Sequence, residues 1–560
     1  LEMFVYQVIE SNQLYLSLCI EVDRVYWRKR GADIAILFST SSIGEAYSWI
    51  QNRKDQYIMN GKKPVALSKY HQLFLSWSSL EQEAEKLFNL LQGRALLWSE
   101  LISFLHKKNI INIKLTLLPI LQLLYLENRM EIKPGVTCND VIYRWTCHRC
   151  MSDRKYLRMT DCATCGKQCS MCEQCIWLGR SRTCTPFFLF APSSIKKEKL
   201  ISVKPLSLTA AQQKVCEQIL SFTQSEEKQF LLWAVTGAGK TEMMVPVIAQ
   251  IRSEGKKICW VTPRKDVVHE LQPRIKRIFP QERVLALYGG SSDLWMEGDI
   301  VIATAHQLWR YFQAFDLIIV DEVDAFPLYQ NIALEKGIER ALSTGGKMIL
   351  LTATPPRQWL EWSRSGKLPS ATLSARYHGH PLPVPKLIQE RRLWDKIENR
   401  KPITPFNHFI KQVITYQGQA LIFVPEIRRV KQVLEWIREN GHGHLAMAGV
   451  YSQMSNREEV IRRFRNVELD CLVTTTILER GVTVPKCFVM VLGADNLLFD
   501  QAALIQMAGR VGRSSTYPYG EVWFLATERT EGQLQAKKQI TYLNRLAKKE
   551  GFIRKEAYYQ

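Results

Sequence analysis

The chain lacks any long apolar run. No window of about eighteen residues is apolar and free of charge, and a membrane-spanning helix needs roughly that length. The stretch Leu115 to Leu126 comes nearest. It is too short, Glu127 and Arg129 follow at once, and it reads as a buried helix. The N-terminus, LEMFVYQVIESNQ, has no basic segment leading into an apolar core, so no secretory signal is expected. Low-complexity tracts and short-period solenoid repeats are also missing. Acidic residues are in deficit: 54 Asp+Glu stand against 75 Lys+Arg, a formal net charge of +21. That surplus favours a polyanionic partner, nucleic acid before an anionic membrane surface, although a merely basic soluble protein would show the same balance. The expected location is cytoplasmic, with peripheral association at the inner face of the cell membrane left open.

With 560 residues, of which 46% are hydrophobic, the chain suits three or four domains with large cores. Residues 1–137 read as an N-terminal accessory domain with helical periodicity from Leu80 to Leu126. Residues 138–190 are Cys-rich, and a Lys-rich connector follows (SSIKKEKLISVKP). Over 200–382, short apolar stretches alternate with amphipathic ones: FLLWAV, KICWVTP, DIVIATA, FDLIIVDE and KMILLTAT. These fit buried parallel strands. A Pro-rich passage (HGHPLPVPK, then KPITP) reads as an interdomain linker. The rhythm resumes over 383–560 with QALIFVP, LDCLVTTT, FVMVLGA and GEVWFLA. The expected fold is α/β: two tandem RecA-like parallel-sheet domains of a superfamily 2 motor, preceded by a Cys-rich zinc module and an N-terminal α/β extension.

The segment AVTGAGKT, Ala234 to Thr241, follows a predicted strand and should open a helix, the context a P-loop requires. Gly237 and Gly239 allow a tight turn in which the amides of Thr236, Gly237, Ala238 and Gly239 face phosphate oxygens. Lys240 can reach the β- and γ-phosphates, and the Thr241 hydroxyl can ligate Mg²⁺. The new helix adds a dipole favourable to anions. Ala234 stands where the general pattern has Gly, a departure common in superfamily 2 helicases. The next element argues against a chance glycine loop. The strand FDLIIV runs straight into Asp321-Glu322-Val323-Asp324. Asp321 can hold Mg²⁺ and Glu322 can activate the attacking water. A solvated strand end would not stop so abruptly at paired acids. Upstream, Leu208-Thr209-Ala210-Ala211-Gln212 resembles a Q-motif, with Gln212 reading adenine and Gln213 a competitor for the role.

The second domain offers Gln506-Met507-Ala508-Gly509-Arg510-Val511-Gly512-Arg513, which resembles motif VI. Arg510 and Arg513 are candidate arginine fingers for ATP, against the plainer reading of an Arg-rich solvated helix. Thr352-Ala353-Thr354 resembles motif III, and TTTILERGVTVP, Thr474 to Pro485, resembles motif V. Thr262-Pro263-Arg264, then Thr304 with His306 and Gln307, could grip phosphates without reading bases. Phe423-Val424-Pro425 resembles motif IV, and the hydroxyls of Thr474 to Thr476 are further candidates. Some of the 15 tryptophans could stack on bases.

Nine of the 14 cysteines lie between Cys138 and Cys184. Such clustering in a cytosolic chain favours metal over disulfides. Cys147 and Cys150 form one CxxC, and Cys162 and Cys165 another. Cys169, Cys172 and Cys175 follow at CxxC intervals, and Cys184 closes the series. Eight ligands would hold two structural Zn²⁺, with the connectivity open and Cys138 spare. Cys19, Cys216, Cys259, Cys471 and Cys487 read as small buried hydrophobes. The basic residues Arg144, Arg149, Arg154, Lys155 and Arg158 could contact nucleic acid or form a solvated face.

Four stretches, DEVDAFP, LTATPP, TTTILERGVTVP and QMAGRVGR, together with the upstream Cys-rich module, resemble the ComFA family of late-competence DNA-uptake ATPases of Gram-positive bacteria. The resemblance runs from about Cys147 to the C-terminus. It implies a single-stranded-DNA-stimulated ATPase using ATP and Mg²⁺ at a membrane-associated uptake machinery. It also implies a ComEC-type channel and a ComFC-type phosphoribosyltransferase-like partner, and allows a homo-oligomer. A PriA-like replication-restart helicase shares the motor and a two-zinc cluster, but carries that cluster within its helicase region. A zinc-dependent nucleic-acid adaptor with a weak ATPase is the other reading. The intact Lys240, Asp321, Glu322, Arg510 and Arg513 argue against it.

Overall fold

The computed structural model describes residues 2–53, 76–110, 116–139, 144–192, 198–479 and 484–554. Leu115, residues 193–197 of the connector and residues 480–483 of the motif V stretch lie outside them. The chain divides into two units. The first joins Leu1–Val203 to Ala249–Met348, and the second joins Lys204–Ile248 to Ile349–Gln560.

The first unit begins with an antiparallel sheet in the order Leu14–Ser17, Met3–Val8, Ile34–Thr40. Against it lies the helix Leu117–Leu126, apolar on nearly every face and buried accordingly. Its one buried polar side chain, Gln122, is fully occupied. Its Oε1 accepts the Leu18 N–H at 2.8 Å, and its Nε2 donates to the Leu16 carbonyl at 3.1 Å and to Asp23 at 2.7 Å. Asp23 also accepts from the Tyr6 hydroxyl at 2.6 Å and the Ser17 hydroxyl at 2.5 Å.

Burial drives the Asp23 carboxyl up to about 7, against the pull of those donors. The folded state therefore holds a proton that the unfolded chain releases near 3.8. Stability from this group is complete below the unfolded value and is lost as pH rises through about 7. Asp23→Asn should remove that slope, worth on the order of a few kcal/mol. The check is the difference in urea midpoint between variant and wild type from pH 4 to 8 (roughly the span of the two pKa values). A difference that does not vary with pH would refute the assignment.

A second small antiparallel sheet joins the N-terminal region to the Cys-rich loops. The strand Pro186–Phe190 pairs on one side with Ala95–Leu97 and on the other with Met130–Pro134. The chain thus enters and leaves the Cys-rich segment through one sheet, and the boundary expected at residue 137 falls inside a single unit. The same unit carries the parallel strands Val284–Leu287, Ile300–Thr304, Ile258–Thr262 and Phe315–Val320, in that order, and beside the last the first part of Leu342–Thr352. Phe104 packs edge-on to Trp295 across the two parts of this unit, ring centroids 5.8 Å apart.

In the second unit the tail of Leu342–Thr352 neighbours Gln229–Ala234, which pairs in parallel with Ser370–Leu373. A six-stranded parallel sheet follows, in the order Lys386–Gln389, Val522–Ala526, Cys487–Leu492, Gln419–Phe423, Cys471–Thr474, Met447–Val450. Every strand expected from the apolar stretches is present. One expectation fails. KPITP is no linker: Thr404 opens the helix Thr404–Thr415 with Pro405 in its first turn. Pro suits that position because its missing N–H has no intrahelical partner there.

Candidate nucleotide and metal sites

The strand Gln229–Ala234 is buried along most of its length and ends at the turn Val235–Gly239, from which the helix Lys240–Ser253 starts. Gly237 and Gly239 both have φ of +76°, a left-handed conformation that other residues adopt only under strain. A side-chain carbon on Gly239 would also lie 2.4 Å from Gln212 Nε2. Gln212 is buried beneath this turn. Its Nε2 donates to the Ala238 carbonyl at 2.8 Å and its Oε1 accepts the Thr209 N–H at 2.9 Å, closing a capping box on the helix Ala210–Thr223. Gln212 therefore buttresses the turn, with one N–H left over. Its neighbour Gln213 is exposed and reaches Glu217 at 3.3 Å.

In the same unit, the helix Gln501–Ala508 ends just before the arginines, so Arg510 and Arg513 lie on the turn beyond it. Arg510 is buried and donates from Nε to the Glu479 carbonyl at 2.9 Å, while Arg513 Nε donates to the Gly509 carbonyl at 2.8 Å. This turn packs on the P-loop. A side-chain carbon on Gly509 would sit 2.2 Å from Thr236 Oγ1, so only glycine permits the approach. Thr352 and Thr354 close the motif III turn on themselves, the Thr354 N–H donating to Thr352 Oγ1 at 2.9 Å. Ala353 between them accepts from Trp233 Nε1 at 3.1 Å.

In the first unit, Asp321 follows the strand Phe315–Val320 and extends its pairing by donating its N–H to the Val261 carbonyl at 2.8 Å. The Glu322 N–H donates to Asp321 Oδ1 at 2.9 Å, and Glu322 adopts φ of +50°, unusual for a non-glycine residue. Both acids are half-buried. Some expected phosphate contacts are buried. Thr262 and Thr474 are fully buried, and Gln307 is 4% exposed with its Oε1 accepting from Arg310 Nη1 at 2.5 Å. Phe423 and Val424 are core residues. Trp177, next but one to Cys175, is 91% exposed. Two residues that sequence reasoning missed, Arg376 and His378, lie on the segment after Ser370–Leu373 and hold the Gly512 carbonyl at 2.6 and 3.1 Å.

The eight cysteines form two sets of four. Cys147, Cys150, Cys172 and Cys175 make one, Cys162, Cys165, Cys169 and Cys184 the other, with all sulfurs of a set within 4.8 Å of one another. The sets interleave along the chain. Sulfur separations include 3.8 Å for Cys147–Cys175, 3.5 Å for Cys150–Cys172, 3.6 Å for Cys162–Cys184 and 3.3 Å for Cys165–Cys169. A tetrahedral ion with Zn–S near 2.3 Å places its sulfurs about 3.8 Å apart, so both sets fit a thiolate-bound metal. Each set holds one acidified thiol. Burial pushes Cys147 up, but hydrogen bonds from Cys150, Cys172 and Cys175 outweigh it and hold the thiol well below its ordinary value. Burial likewise opposes ionisation of Cys162, yet the N–H groups of Cys165 and Thr164 bring it down to about 6. Cys138 belongs to neither set. Of the cysteines read as small hydrophobes, Cys216, Cys259, Cys471 and Cys487 are buried and Cys19 is half-buried.

The first set is tied firmly into its unit. Arg340 Nη1 donates to the carbonyls of His148 and Arg149 at 2.8 and 2.6 Å, and its Nη2 donates to Trp309 at 2.7 Å. Arg149 and Arg310, both buried, share one oxygen of Glu100 at 2.5 and 2.8 Å.

A glycine-shaped turn opening a helix, paired acids ending a parallel strand, and an arginine turn in a second parallel sheet are the arrangement of a superfamily 2 helicase-like ATPase. The family model described as Type III restriction enzyme, res subunit, matches residues 205–357, and that of the Helicase conserved C-terminal domain matches 406–515. The Competence protein ComFA N-terminal domain matches residues 80–189. The chain is 36% identical to Competence protein ComFA of Bacillus subtilis (72% of this chain, 87% of that one). It is 35% identical to Competence protein ComFA of Streptococcus pneumoniae (67% and 86%). The chain belongs to the ComFA family. Among solved structures it is similar to S. cerevisiae Dbp5 bound to RNA and ADP BeF3, with 15% identity, 60% of this chain and 88% of that one covered, and a TM-score of 0.45.

Proposed function

We propose that this chain hydrolyses ATP to move along single-stranded DNA, and that its task is to draw transforming DNA into the cytoplasm during natural competence. The observation that carries the reading is the packing of the P-loop turn on the Gly509–Arg513 turn within one unit. Hydrolysis then answers to elements on both sheets. In this reading the amides of Thr236, Gly237, Ala238 and Gly239 cradle the phosphates and Lys240 meets the β- and γ-oxygens. Thr241 and Asp321 hold Mg²⁺, and Glu322 orients the attacking water. Gln212 steadies the turn and keeps one N–H for the base. The formal charge of +21 suits a polyanionic track. The two cysteine sets are structural zinc sites with no open coordination position. A ComEC-type channel and a ComFC-type protein are the proposed partners.

The test is phosphate release with and without single-stranded DNA. DNA should stimulate turnover, and Lys240→Ala and Glu322→Gln should each abolish the stimulated rate. Hydrolysis undiminished in both variants would sink the site assignment. Deletion in a competent strain should abolish DNA import while spontaneous replication restart continues; the opposite pattern would favour a PriA-like role.

A further inference from the structure

Arg376 is 2% exposed and uses only part of its guanidinium. Its Nη1 donates to the carbonyls of Val511 and Gly512 at 2.8 and 2.6 Å. Among the described residues its Nε and Nη2, both buried, have no hydrogen-bond partner. Among the described residues no carboxylate pairs with it. Burial, with Arg513 adding repulsion, pushes its pKa down to about 9. A buried cation with unused donors is costly, and a fold keeps one where a partner arrives from outside.

The surroundings indicate which partner. A side-chain carbon on Gly237 of the P-loop turn would lie 3.8 Å from Arg376 Nε, the nearest atom to it. The Tyr377 N–H donates to the Gly237 carbonyl at 3.3 Å, holding this segment to the turn. On the other side, His378 Nε2 meets the Gly512 carbonyl at 3.1 Å while its Nδ1 accepts the His380 N–H at 3.1 Å. That arrangement places the proton on Nε2. Burial, with Arg376 nearby, lowers His378 to about 4, so the ring is neutral. His378 therefore fixes the Gly512 turn without supplying the missing negative charge. What the free N–H groups lack is an anion beside the P-loop turn.

We propose that Arg376 is a phosphate-binding residue, its Nε and Nη2 taking an oxygen of the terminal phosphate of a bound nucleoside triphosphate. It would be a third arginine at that phosphate, contributed by the segment after Ser370–Leu373 and not by the Arg510–Arg513 turn. Because Nη1 of the same side chain holds Val511 and Gly512, loss of the phosphate would be felt directly at that turn. The inference rests on the P-loop being a nucleotide site.

The test is equilibrium binding of a fluorescent non-hydrolysable ATP analogue and of fluorescent ADP to the full-length, metal-loaded protein. Arg376→Gln should weaken the triphosphate by about 10- to 100-fold and the diphosphate by less than about 3-fold, the loss expected for charge-assisted hydrogen bonds to one phosphate. Arg376→Lys should recover part of the preference, because it keeps the charge without the fork. His378→Ala, which cuts the grip on Gly512 and the bond from the His380 N–H, should leave the ratio of the two affinities unchanged. An equal loss of both nucleotides in Arg376→Gln and His378→Ala would mean a purely structural clasp and overturn the proposal. So would a wild-type ratio in both Arg376 variants. Lys240→Ala separates the two levels of the argument. If it too leaves triphosphate binding intact, the nucleotide reading of the P-loop fails. If it abolishes binding while Arg376→Gln keeps the wild-type ratio, only the role of Arg376 fails.

Discussion

Stripping metal from this chain should unfold the Cys-rich segment and loosen the unit around it. Seven of the eight clustered cysteines are buried, and each set of four has its sulfurs within 4.8 Å. Without an ion, thiols packed this closely lose the bonds that hold them together. In zinc-finger peptides such bonds supply ~10–16 kcal/mol. The effect should spread, because Arg340 holds the carbonyls of His148 and Arg149, and Arg149 meets Glu100. Breaking one side of that network leaves buried cations unpaired, at about 3–5 kcal/mol.

Metal analysis of the native protein should give two zinc ions per chain. Chelation should lower the melting temperature and erase much of the near-ultraviolet circular dichroism. Interleaving makes a sharper forecast. Cys150→Ser with Cys172→Ser should remove one ion, because both residues serve the first set. Cys150→Ser with Cys165→Ser should remove both, and Cys138→Ser neither. Loss of a single ion from the Cys150/Cys165 pair would show that the CxxC pairs are matched in sequence order, contrary to the structure.

Replacing either arginine beyond the helix Gln501–Ala508 should cost turnover far more than nucleotide binding. An arginine that meets the transferring phosphoryl group offsets charge that develops only in the transition state, worth about 10³- to 10⁵-fold in turnover. Arg510 and Arg513 lie on a turn that Gly509 lets approach Thr236. Arg510→Ala and Arg513→Ala should therefore each reduce DNA-stimulated kcat by at least about a hundredfold, with ATP affinity changed only a few-fold. Arg510 also donates to the Glu479 carbonyl, so thermal melts of both variants accompany the kinetics. A variant that melts normally and hydrolyses at the wild-type rate would remove that residue from the proposed chemistry.

The local conformation of the proposed nucleotide site was legible because it is local. A P-loop is a single turn, and its glycines are demanded by backbone conformation at Gly237 and Gly239. The acids at Asp321 and Glu322 end an apolar strand, and that break in pattern is visible in one dimension. Interior strands were legible for the same reason: both faces are covered, so they read as unbroken apolar runs. The four unforeseen parallel strands, Val284–Leu287, Ser370–Leu373, Lys386–Gln389 and Met447–Val450, are edge strands in the sheet order. An edge strand has one hydrogen-bonded neighbour and less cover, so its apolar pattern is weaker. KPITP misled because Pro marks a helix start as well as a linker.

The sequence by itself displayed a glycine turn between a strand and a helix, paired acids at a strand end and eight clustered cysteines, since each is written within a few neighbouring residues. Tertiary structure alone decided which thiols share a set. Cys172 returns to Cys147 and Cys150 past an intervening CxxC, and only the folded chain brings their sulfurs within 4.8 Å of one another. It also decided why position 509 is glycine and what Arg376 lacks, because both depend on atoms more than a hundred residues away. Spacing along a chain fixes local turns. Which distant groups share a desolvated contact is fixed by packing, and packing is not a local property of sequence.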